Sequence, residues 1–132
     1  MSDHGLDLQA LAVAGNIIAA TAHEASAAGG WWACPRTGES LLGKKNIPEL
    51  LCLIHSEISE AMEGYRKGLM DDKLPHRLMI EVELADAVLR IGDLAGALGL
   101  DLGGALAEKV AYNLVRLDHK LEQRLRAGGK GF

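Results

Sequence analysis

The apolar positions of the chain fall into four runs of helical spacing, each bounded by capping residues, glycine or proline. In the first, Leu8, Leu11, Ala12, Ile18, Ala19 and Ala22 recur with a helical period. Asp7 offers a cap before them and Gly29-Gly30 a stop after them, which predicts a helix to about Ala28. Asn16, His23 and Glu24 are assigned to its solvated side. The second run opens at Asn46-Ile47-Pro48-Glu49, with Asn46 as cap and proline in the first turn, and stops at Gly68 after Lys67. Its stripe is Leu50, Leu53, Ile54, Ile58, Ala61 and Tyr65. The third is expected to open at Pro75 and run from about His76 to Leu98. It carries two apolar faces, Leu78, Val82, Ala85 and Leu89 on one and Ile80, Leu84, Ala87 and Ile91 on the other. A helix apolar on two sides sits centrally in a bundle or against a second subunit. The fourth is expected from an Asp101 cap to about Arg126, packing through Leu106, Val110, Leu114, Leu117, Leu121 and Leu125. The pattern predicts an all-α chain.

Residues 29–46 form a long connection, with a short helix around Ser40 to Lys44 as an alternative. Two readings of Trp31-Trp32 stand side by side. Either one tryptophan closes the core while the other lies on the surface, or one stacks on a nucleobase while Arg36, Lys44 or Lys45 meets phosphate. Leu69 to Leu74 reads as a polar turn, and residues 127–132 as a glycine-rich tail.

The acidic positions change this picture. Glu57 and Glu60 are three residues apart, Glu83 and Asp86 are three apart, and both pairs touch packing faces. Glu63, by contrast, points away. Two like charges about 4 Å apart cost roughly 4 kcal/mol at an effective dielectric of about 20. Acids so placed must be neutralised, paired or bound to a metal. Arg90 lies four residues after Asp86 and three before Asp93, so a salt-bridge ladder along the helix accounts for part of the strip. No glutamate is followed three residues later by histidine, which argues against a ferritin-like di-iron site. Oxygen ligands alone suit Mg2+ or Mn2+ and hence phosphate chemistry. On the fourth run Lys109, Asn113, Arg116 and Lys120 form a mostly basic row, which is a solvated face or a phosphate contact.

Composition narrows the class. At 132 residues one domain is expected over residues 1–132, and the apolar content of nearly half excludes disorder. A net charge of −4 argues against nucleic acid polymers and anionic membranes. Cys34 and Cys52 form no metal spacing and read as reduced thiols. With no apolar run of spanning length and no basic leader, a soluble cytoplasmic protein is expected.

Glu57-x-x-Glu60 followed by Glu83-x-x-Asp86 resembles the paired acidic signature of the MazG-like all-α nucleoside triphosphate pyrophosphohydrolases. Leu53-Ile54-His55-Ser56-Glu57, Tyr65-Arg66-Lys67-Gly68, Glu83-Leu84-Ala85-Asp86 and Gly99-Leu100-Asp101 match as well, over roughly residues 31 to 120. The resemblance implies an antiparallel four-helix bundle, as a homodimer or dimer of dimers. It implies magnesium-dependent hydrolysis of a (deoxy)nucleoside triphosphate to monophosphate and pyrophosphate, as nucleotide-pool house-cleaning. Glu57, Glu60, Glu83 and Asp86 take the metal positions, with Asp93 a further candidate. Glu60 and Glu57 are the expected catalytic carboxylates; the resemblance implies Lys109, Asn113 and Arg116 as substrate contacts, and the local sequence adds Trp32 and Arg36. The alternatives are a non-enzymatic helical interaction module and a carboxylate-bundle metal-binding protein.

Overall fold

A computed structural model describes residues 5–116, 121–129 and 131. Among them the chain is helical without strands: α1 Leu8–Ala28, α2 Ile47–Lys67, α3 Met79–Ala97, α4 Leu102–Val115 and α5 Leu121–Arg124. It divides into two compact units, one of Ile18–Leu100 and one of Met1–Ile17 with Asp101–Phe132.

The ends of α1 and α2 follow from their caps. Asp7 Oδ1 accepts from Ala10 N at 2.9 Å, and Asn46 Oδ1 accepts from Glu49 N at 3.2 Å. Gly68 closes α2 in the left-handed region, φ 62°, where a side chain would be strained. In Ile18–Leu100 the principal packing is α2 on α3. The stripe that α2 buries is Glu57, Ala61 and Gly64. That line is turned from the one expected through Ile58 and Tyr65, and Tyr65 is 73% exposed. Small residues decide the rotation, because alanine and glycine let α3 approach where leucine and tyrosine would hold it off. Helix α3 answers with Glu83, Ala87, Gly92 and Ala95. A Cβ on Gly96 would stand 2.6 Å from His23 Cβ, so α1 lies directly on that end of α3. The buried apolar residues of this unit are five alanines and Trp32. Leu84, Leu89 and Ile91 on α3, from the two faces expected to be covered, stay 40–50% exposed.

Helix α3 begins at Met79, three residues later than expected from Pro75. Asp71 is the cause. Its Oδ2 accepts from Lys73 N at 3.0 Å and Leu74 N at 2.8 Å, while its own N–H donates to Arg77 O at 2.9 Å. These local bonds hold residues 71–77 in turns and compete with the helix. The cap follows instead at Leu78, whose N–H donates to Glu81 Oε1 at 3.1 Å. The 29–46 connection contains no helix; Cys34 N donates to Glu39 O, Leu41 N donates to Trp32 O, and an Ala33–Ser40 bridge closes it.

In the other unit Asp101 caps α4 through Gly104 N at 2.9 Å and also accepts from Asn16 Nδ2 at 2.9 Å. Asn16 is exposed yet tied, since its Oδ1 accepts from Gly103 N at 2.8 Å. Those bonds, with the short α4 backbone contacts, hold Asp101 ionised below the usual aspartate range. Gly103 is required: a Cβ there would lie 1.8 Å from Ala12 O. Helix α4 ends at Val115, well short of Arg126, because the backbone turns extended at Arg116, ψ 132°. Leu121 and Leu125, expected to pack, are 68% and 77% exposed; Leu117 and Lys120 lie outside the described residues.

Candidate metal centre and its cleft

The acids are brought together by the α2–α3 pairing. Glu57, Glu60 and Glu83 each offer a carboxylate oxygen, all within 4.8 Å of one another. Glu57 and Glu83 are buried and Glu60 is exposed at the opening. Arg90 Nε donates to Glu57 Oε1 at 2.8 Å, so its partner is across the helix pair and not the ladder expected along α3. Asp86 stands outside the three-glutamate group, half-buried and one turn further along. Asp71, expected in an exposed turn, is buried at 6% exposure and adds its charge near Asp86.

Electrostatics divides the acids into two states. Burial, then the hydrogen bonds to Glu57 and Glu60 and their charges, pushes Glu83 up to about 8. Burial also raises Glu57, but the Arg90 guanidinium and the neighbouring carboxyls outweigh it and bring it below the usual range. Asp86 is raised, by burial first and by the Glu57 charge next, with Arg90 opposing. At neutral pH the cluster therefore holds a proton on Glu83 while Glu57 is ionised. Glu83 Oε2 is buried and accepts from no donor among the described residues. Only a proton within the cluster or a bound cation can satisfy it. The donor set is oxygen only, which suits a hard divalent ion.

Glu57 also lines a cleft of about 640 Å³. Asp86, Arg90 and Asp93 continue its polar wall, and Trp31, Trp32 and Leu50 form part of an apolar wall. The tryptophans divide the two roles expected of them: Trp32 is buried at 7% exposure and Trp31 is 70% exposed. Arg36 is exposed and is not among the lining residues, whereas Lys45 is, and Lys44 pairs with Glu39. His23, expected in solvent, is half-buried and bonded to Asp93 Oδ1 at 2.9 Å. Nothing in its local sequence announces this, because the partner lies 70 residues away.

The basic row belongs to the other unit. Lys109 Nζ lies 5.0 Å and Arg116 Cζ 5.6 Å from the Tyr112 ring centre, and Arg116 has left the helix. Asn113 Oδ1 is buried there without a hydrogen-bond partner among the described residues. No helix among the described residues is long and apolar enough to cross a membrane. Comparison with protein-family models, with curated proteins and with solved structures returns no match to this chain.

Proposed function

We propose that the chain is a magnesium-dependent hydrolase, with manganese as substitute, that cleaves a (deoxy)nucleoside triphosphate to monophosphate and pyrophosphate. The observation that carries this reading is the three-glutamate group around a buried, partnerless Glu83 oxygen, opening through Glu57 onto a cleft with an aromatic wall. Without a cation that oxygen is satisfied only by a proton, on a carboxyl pushed up to about 8, and a purely structural cluster gains nothing from that. Glu57, Glu60 and Glu83 would hold the ion, with Asp86 beside them. Bound magnesium supplies positive charge to phosphate oxygens and acidifies a water.

The chain's own residues then have distinct tasks. Arg90 fixes the Glu57 carboxylate through its Nε–H and keeps it ionised. Glu60, the exposed member, would take the proton of an attacking water. Glu83 gives up its proton when a cation arrives, so loading is favoured as pH rises towards 8. The tryptophan end of the cleft suits a flat heterocycle and excludes water from it. Under the same reading the chain is a homodimer or dimer of dimers acting in the cytoplasm. The half-exposed Leu84, Val88, Leu89 and Ile58 support the assembly, because a monomer rarely exposes so much apolar surface.

Pyrophosphate release from a panel of nucleoside triphosphates, with and without magnesium, tests the function. Metal-dependent release that disappears in Glu83→Ala is expected. No release from any of them, or release unchanged by Glu83→Ala, contradicts it.

A further inference from the structure

Asp93 stands on α3 two turns beyond Asp86, on the wall of the same cleft. Its Oδ1 accepts twice, from Trp32 Nε1 at 2.8 Å and from His23 Nδ1 at 2.9 Å. With Oδ1 as the acceptor in both bonds, the His23 proton lies on Nδ1. Oδ2 takes no hydrogen bond among the described residues, and the Asp93 side chain keeps 23% exposure. The His23 ring meets Trp32 edge-on at 5.5 Å, which fixes the three side chains as one block. Lys45 Nζ lies 4.3 Å over the Trp32 ring, so a cation already covers part of that indole. Trp31, exposed beside it, is the aromatic surface free to receive a ring.

Holding Trp32 in place requires only one neutral acceptor. A carboxylate clamped by two donors, with its second oxygen left over and a lysine also lining the cleft, does more. It distinguishes hydrogen-bond donors from acceptors on whatever lies there. We propose that Asp93, oriented by His23 and Trp32, accepts from the exocyclic amino group of a nucleobase. The cleft then takes cytosine and adenine nucleotides in preference to their deaminated counterparts, those of uracil and hypoxanthine. This deepens the hydrolase reading and rests on it for the phosphate end of the cleft.

Deamination replaces the amino donor by a carbonyl oxygen, which would face the Asp93 carboxylate as one acceptor against another. It also turns the neighbouring ring nitrogen from an acceptor into a donor. Lys45, which only donates, matches the first arrangement and clashes with the second. A polar site that loses its partner rejects the wrong ligand far more strongly than an apolar pocket rejects a change in size. Asp93 is thus assigned to the base and not to the metal, and His23 is a positioning residue.

The test compares kcat/KM for dCTP against dUTP and for dATP against dITP, in wild type and in Asp93→Asn. Wild type is expected to favour the amino member of each pair by roughly 10⁴-fold. Asparagine keeps an acceptor for Trp32 but presents an amide that can donate, so the ratio should narrow to a few fold. dUTP turnover should also rise in absolute terms, which a merely damaged fold does not produce. Equal kcat/KM within each wild-type pair overturns the proposal and leaves the hydrolase reading intact, as does a folded Asp93→Asn that keeps the full ratio. If Asp93→Asn does not fold, the wild-type ratios decide. Should no triphosphate be hydrolysed, quenching of tryptophan fluorescence by dCMP and dUMP gives the answer without turnover. Tighter binding of dCMP then supports the proposal while the hydrolase reading fails, and equal or absent binding overturns both.

Discussion

The acidic face of α2–α3 and the basic row of α4 look alike in sequence, each a set of like charges at helical spacing, but the protein treats them differently. Glu57 and Glu83 are buried at the helix pair, with Glu57 bonded to Arg90 and ionised and Glu83 protonated. Lys109 is exposed and rests with Arg116 beside the Tyr112 ring, so two cations share one aromatic ring. Burying like charges carries a free-energy penalty that a solvated row avoids. A buried charge pattern therefore asks for a functional reason, and an exposed one does not.

The largest effect expected lies on the acidic side. Glu57→Gln and Glu83→Gln should each abolish metal-dependent turnover while circular dichroism stays helical. Full activity in either variant would place these acids with the solvated row.

The next effect concerns pH. Glu83 has a folded pKa of about 8, above its ordinary carboxylate value. Its protonated form is favoured by the fold, so metal-free stability is greatest where Glu83 is protonated and falls as pH rises through about 8. Glu57 has the opposite sign: its lowered pKa adds stability at neutral pH that is lost on acidification. Thermal melts in chelator should show Tm falling between pH 6 and pH 8, with Glu83→Gln removing most of that fall. Magnesium should raise Tm more at pH 8 than at pH 6. A Tm independent of pH over this range would mean that Glu83 is ionised throughout.

The smallest effect is expected from the row. If the row holds the phosphate tail of a triphosphate, Lys109→Ala and Arg116→Ala raise KM severalfold and lower kcat. Metal affinity without nucleotide should be unchanged. If both variants keep kcat/KM, the row is a solvated face, and the contrast with the acids becomes sharper.

The same contrast separates what the sequence disclosed from what it concealed. Helices α1 and α2 were legible because Asp7, Asn46, Gly30 and Gly68 act within a few residues of themselves. The start of α3 was not, because the Asp71 side chain bonds to its own loop and overrides the proline signal. The leucine spacing after Val115 suggested more helix, yet the backbone leaves it at Arg116, and no residue type there gives warning. In the site, the Glu57–Glu60–Glu83 convergence could be read from two i, i+3 patterns on neighbouring helices. The Arg90–Glu57 bond and the His23–Asp93–Trp32 block could not, since each joins residues 33 or more apart along the chain. The buried stripe of α2 was read at Ala61 but misplaced at its end: side-chain size suggested Tyr65, whereas close approach selects Gly64.

Calorimetric titration of the metal-free protein with Mn2+ at pH 7, in two buffers of different ionisation enthalpy, tests the central point directly. If the three glutamates form a metal site, manganese binds and each ion displaces close to one proton, the one held on Glu83. Glu83→Gln should weaken binding and remove the proton release. An absence of binding heat in both buffers, or binding that Glu83→Gln leaves unchanged, would contradict the account.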